Sequence, residues 1–128
     1  MFLRFLNAAD AAVHQAWETG RKRTTVHTSA EGKQHYLDWV AVRDRLGQVL
    51  TEMRLVGPAN VYKEASRVLA CAVQFGESSL LAGVGKGMDR PPADHQREYD
   101  ARVADLLAAM QQELGSVDSR DQRPSGLG

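Results

Sequence analysis

The chain has 128 residues, enough for one domain with a modest core, and its 43% apolar and 25% charged content is ordinary for a globular protein. Sixteen Lys and Arg residues balance sixteen Asp and Glu residues, which excludes a global electrostatic footprint for nucleic acid or an anionic membrane. Cys71 is the single cysteine, so neither an intramolecular disulfide nor a cysteine-rich metal site can form, and no apolar run reaches the roughly 18 residues of a membrane span.

Met1 to Leu6 is apolar but soon reaches Asn7 and Asp10. It lacks the basic start, long apolar stretch and cleavage site of a signal peptide. A cytoplasmic location is therefore the expectation, and an unpaired cysteine suits it.

The first helix is predicted from about Phe2 to Arg23. Phe2, Leu6, Ala9, Val13, Ala16 and Gly20 recur at steps of four and three, and Phe5, Ala12 and Trp17 widen the stripe. No capping residue precedes Phe2, so either the first turn frays or the helix is the stump of a longer one. Arg21, Lys22 and Arg23 suit the negative end of the helix dipole.

After a loop at Thr24–Thr28, the series Thr28-Ser29-Ala30-Glu31 matches a capping box. The second helix is predicted from Ser29 to Val56, with Trp39, Val42, Leu46, Val49, Met53 and Val56 on its apolar stripe. Gly32 and Gly47 weaken it, which marks one of them as the place of a close helix crossing. Gly57-Pro58 ends this helix and starts the third, since glycine tolerates the left-handed conformation and proline suits the first helical position. So short a break makes the two helices antiparallel neighbours.

The third helix presents Val61, Ala65, Val68, Ala72 and Phe75. From Gly76 to Pro92 glycine and proline accumulate, and the stretch reads as a long, mobile or functional loop, with Leu80, Leu81 and Val84 either tucked onto the core or forming a last turn of the third helix. A fourth helix is predicted from Pro92 or Ala93, with Tyr99, Val103, Leu106, Met110 and Leu114 on one stripe and Gly115 as its stop. The polar stretch 116–128 reads as a disordered tail.

Few motifs carry chemistry. Gly83-Val84-Gly85-Lys86-Gly87 has glycines and a lysine, but no Walker spacing, no hydroxyl residue after the lysine and no preceding strand, so it reads as a linker. His14, His27, His35 and His95 lack metal-pair spacing and read as solvent-exposed. Cys71 has no histidine placed to activate it and reads as a half-buried structural thiol. The aromatic residues Trp17, Trp39, Tyr36, Tyr62 and Tyr99 lie on or beside apolar stripes and read as core. Two surfaces remain: the basic turn Arg21, Lys22 and Arg23, and the apolar helix start Phe2, Leu3 and Phe5.

Phe5-Leu6-Asn7-Ala8-Ala9-Asp10-Ala11-Ala12, together with Leu55-Val56-Gly57-Pro58-Ala59-Asn60-Val61, resembles a group of small α-helical proteins of high-GC actinobacteria. In that group an aromatic-leucine-x-alanine-alanine-aspartate helix pairs with a later helix that ends in leucine-x-glycine-proline. Met110-Gln111-Gln112-Glu113-Leu114-Gly115 is similar to the group's last helix. The resemblance covers most of residues 2–115, and it implies a helical hairpin or bundle, with no activity and no catalytic residue attached. Members often extend beyond the position of Phe2, which fits a shortened first helix.

The expectation is an all-α, antiparallel, up-and-down bundle of four helices over residues 1–115, followed by a tail at 116–128. The function expected is a non-enzymatic protein–protein interaction module that binds a protein partner or itself as a homodimer. Two alternatives stand beside it: a nucleic-acid-associated regulator using Arg21–Arg23, disfavoured by the balanced charge, and a small-ligand binder or enzyme using the bundle core near Trp39, Tyr62 or Tyr99. No residue is assigned a catalytic, cofactor-binding or metal-ligating role.

Overall fold

Each apolar stripe becomes a helix in the computed structural model, which describes residues 2–22, 30–83 and 90–127, with side chains described over 2–19, 33–80 and 90–114. The helices are α1 (Phe2–Lys22), α2 (Ala30–Val56), α3 (Ala59–Gly83) and α4 (Pro92–Leu127), and no strand occurs among the described residues. The chain is thus an all-α protein of four helices. The capping box expected at Thr28–Glu31 and the loop expected at Thr24–Thr28 lie outside the described residues and side chains.

Contacts between side chains give the directions. Arg4 pairs with Glu52 at 3.1 Å, while Asn7, Ala8 and Ala11 face Val42 and Arg45, so α1 and α2 run oppositely. Phe75 stacks on His95, and one turn earlier Cys71 faces Glu98 and Arg102, so α3 and α4 also run oppositely. Between them α2 and α3 reverse at Gly57-Pro58, and Trp39 meets Gly76 far from that turn.

The bundle is flattened rather than square. α1 packs most extensively on α3, α2 packs on both, and α4 lies mainly against α3. Among the described residues α2 and α4 do not meet. Ala9, Ala12 and Ala16 of α1 and Ala65 and Ala72 of α3 are all buried, and such small side chains let two helix axes approach closely. Around this alanine seam Phe5, Trp39, Leu46, Met53, Val61, Val68, Phe75 and Leu106 fill the interior. Each such larger side chain contributes about 1.5–3 kcal/mol by leaving water.

Polar ties join α4 to α1. Tyr99 donates to Asp10 Oδ1 at 2.6 Å, and the Trp17 indole donates to Gln96 at 2.7 Å. Burial, and then the bond to Asp10, push the Tyr99 phenol well above its ordinary range, so it stays a neutral donor.

The glycines depart from expectation. A Cβ on Gly47 would meet nothing within 4 Å, so this is not a close crossing, and Gly32 lies outside the described side chains. Gly57 does not use the left-handed conformation. Its amide donates to Met53 O at 2.7 Å, and a Cβ there would stand 2.8 Å from that same oxygen. The close crossing is at Gly76, in the stretch read as loop. α3 continues through it to Gly83, and a Cβ on Gly76 would overlap Cη2, Cζ2 and Cζ3 of Trp39. Glycine is retained inside a helix here because the indole occupies the space a side chain would need.

Leu80 is partly buried against the core as expected, whereas the side chains of Leu81 and Val84 lie outside the described set. The backbone of α4 passes Gly115 and is helical to Leu127, so glycine is not its stop. The disorder expected for 116–128 concerns residues whose side chains lie outside the described set.

The two interior glycines should respond oppositely to alanine. Gly47→Ala is expected to stabilise by about 0.5–1 kcal/mol, because it adds helix propensity in open space. Gly76→Ala is expected to destabilise by about 1–3 kcal/mol, because the Trp39 ring must shift. Urea unfolding of both variants, followed by helical circular dichroism, checks the opposite signs.

Candidate functional site

The interior is chemically uneven along its length. The buried polar side chains among the described residues are Thr19, His35, Ser78, Ser79 and His95. All belong to one end of the molecule, made by the last turns of α1 and α3 and the first turns of α2 and α4. At the opposite end the interior is apolar, with Phe5, Met53, Val61 and Leu106 all but inaccessible.

At the polar end an aromatic group joins the helices. Trp17 meets Phe75 edge-on with ring centroids 5.5 Å apart, and the His95 imidazole stacks on the same Phe75 ring at 5.0 Å and 4°. Arg90 Nη2 lies 3.1 Å from His95 Nδ1. A guanidinium only donates, so Nδ1 accepts and the ring proton sits on Nε2. The indole Nε1 of Trp39 and the hydroxyls of Thr19 and Ser79 are buried without a hydrogen-bond partner. An orphaned buried polar group costs about 1–3 kcal/mol, so three of them weigh heavily against the usual total stability of about 5–15 kcal/mol.

Beside this end a shallow groove of about 390 Å³ runs between α3 and α4, lined by Arg67, Ala70, Cys71, Gln74, Glu98 and Arg102. Glu98 pairs with Arg90 at 2.7 Å, and that hydrogen bond holds its carboxyl below the ordinary Glu value of 4.5. Cys71 is half-buried. Burial, then the charge and hydrogen bond of Glu98, push its thiol up, against a smaller opposing effect of Arg102. The thiol therefore stays protonated and is a poor nucleophile. A second shallow groove of about 360 Å³ between α1 and α2 is lined by Asn7, Ala8, Ala11, Val42 and Arg45.

The residues singled out from sequence fall differently. Phe5 is fully buried in the core and is unavailable as a contact surface, because α1 turns that face to α3. Phe2 is partly buried against the core, and Leu3 is 71% exposed. Arg21 and Lys22 close α1, with side chains outside the described set, and Arg23 lies outside the described residues. His14 is exposed as expected, but His35 and His95 are buried, because each lies on the inward stripe of its helix. His27 and residues 84–87 of the glycine-rich motif lie outside the described residues. Trp39 and Tyr99 are core and Tyr62 is half-buried, whereas Trp17 and Tyr36 are exposed along one side.

Sequence reasoning missed Thr19, Ser78 and Ser79. A signal existed, since Ala72, Phe75, Gly76 and Ser79 continue the three-and-four spacing of α3, but the glycine masked it. Among the described residues no group of three His, Cys, Asp or Glu side chains could hold a metal ion, and no helix is long and apolar enough to cross a membrane. Compared with protein-family models, curated proteins and solved structures, the chain matches none.

Glu98 links two measurements. Glu98→Gln is expected to speed alkylation of Cys71 at mildly alkaline pH, because the negative charge that holds the proton on sulfur is gone. Its folded-state carboxyl titrates below 4.5, so the pair with Arg90 stabilises the fold above that pH and loses this contribution as pH falls through the folded-state value. The stability difference between wild type and Glu98→Gln should accordingly shrink on acidification, as read from thermal midpoints across the acid range.

Proposed function

We propose that this chain is a cytoplasmic, non-enzymatic interaction module that associates with a protein surface through the apolar end of its bundle, a second copy of itself being the first partner to test. The carrying observation is the exposure of Leu55 and Val56, at 80% and 69%, in the last turn of α2. Their neighbours on that helix, Val49 and Met53, are buried. Leu3, at the start of α1, and Leu114, on α4, add exposed leucines at the same end. Leu3, Leu55, Val56 and Leu114 are the kind of exposed apolar side chains an interface covers, and Trp17, Tyr36 and Leu37 are exposed toward the other end. The equal numbers of acidic and basic residues put little long-range repulsion in the way of self-association. Resemblance to actinobacterial helical proteins without an assigned activity fits such a role. A nucleic-acid role would rest on Arg21, Lys22 and Arg23, and nothing in the described side chains favours it.

Size-exclusion chromatography with light scattering tests the reading. Wild type is expected to rise above the 14.1 kDa protomer toward twice that mass with concentration. Leu55→Glu and Val56→Glu, each at an exposed position, should leave the helical signal intact and return the protein to the protomer mass. A wild type that stays a strict monomer at high micromolar concentration would overturn self-association.

A further inference from the structure

The polar end contains a layer the proposed contact surface does not use. Ala16, Trp39 and the pair Phe75-Gly76 form one packed level of the interior. One turn further toward the same end, on the same inward stripes, stand Thr19 of α1, His35 of α2 and Ser79 of α3. Thr19 and Ser79 are 3% and 0% exposed, and neither hydroxyl has a partner. Helical hydroxyls ordinarily satisfy themselves by bonding the carbonyl four residues back, as Thr51 does to Gly47 and Ser66 does to Tyr62, each at 3.0 Å. Thr19 and Ser79 make no such bond. The Trp39 indole lies against Gly76, one turn below Ser79, and its Nε1 is also buried and unpartnered.

We infer that this layer is a binding site for water held between Thr19 and Ser79 and reached by the Trp39 indole N–H. The chemistry selects the occupant. An indole N–H can only donate, so it needs an acceptor, whereas each hydroxyl can donate or accept. Water supplies both roles in the smallest volume and makes two to four bonds when buried. Thr19, Ser79 and the Trp39 indole offer only neutral donors and acceptors, which water matches. Hydration at this level explains how three polar groups are accommodated next to the close Trp39–Gly76 crossing.

Nuclear magnetic resonance reads the site directly. The chain has two tryptophans, so two indole N–H signals are expected, and Trp17→Phe assigns them. The Trp39 indole proton should show a cross-peak to long-lived water, while the Trp17 indole, bonded to Gln96, serves as the control. Ser79→Ala and Thr19→Val should each weaken that cross-peak and lower the thermal midpoint. The double variant should lose less than the sum of the two, because both remove bonds to shared water. No water cross-peak at Trp39 in the wild-type protein would overturn the assignment. A thermal midpoint raised by either substitution would do so as well, since it would show a dry, orphaned hydroxyl whose removal is a relief.

Discussion

The Trp39 indole lying against the bare backbone of Gly76 is the contact on which the rest of this bundle depends. It lets α2 approach α3 at a level where any side chain on α3 would hold them apart. It also places Phe75, the residue before that glycine, so that Trp17 of α1 meets its edge and His95 of α4 stacks on its face. All four helices therefore meet around two consecutive residues of α3. Such a hub has little tolerance for volume change, because interiors are packed as densely as organic crystals and relax only partly.

From that hub the two ends of the molecule diverge. Toward the Gly57-Pro58 turn the interior is a seam of alanines flanked by Phe5, Met53 and Val61, and burial of apolar surface is the main stabilising force. Toward the other end the same inward stripes carry Thr19, His35, Ser79 and His95. The outer surface reverses this pattern in part, with Leu3, Leu55 and Val56 exposed at the apolar end and the Arg90, Glu98 and Arg102 charges gathered at the polar one. The division holds for the interior more than for the surface, where the Arg4–Glu52 pair sits at the apolar end and Tyr36 and Leu37 are exposed near the polar one.

The surroundings of Cys71 favour its protonated thiol. It lies on the edge of α3 that faces α4, where burial and the Glu98 carboxylate both favour the protonated thiol. Glu98 in turn stays ionised because Arg90 holds it. A nucleophilic cysteine needs the reverse, a positive surrounding that stabilises the thiolate. The groove is built to keep a proton on sulfur.

How much of this was legible in the chain itself differs by level. Spacing in steps of three and four, the Gly57-Pro58 break and Pro92 determined four helices and most of their inward faces, because helical periodicity is a local property that residues such as Leu46, Met53, Val61 and Leu106 carry whatever surrounds them. The place of the close crossing could not be read the same way. Gly47 and Gly76 are both glycines within a helical pattern, and only the position of Trp39, a residue distant in the chain, sets its ring against one of them and leaves the other in open space. Burial of His35, His95, Thr19 and Ser79 likewise followed from where α2 and α4 sit on the α1–α3 pair, as did the exposure of Leu55 and Val56. The sequence by itself determined which elements form; the tertiary structure alone decided which faces are covered, because coverage depends on neighbours brought from elsewhere in the chain.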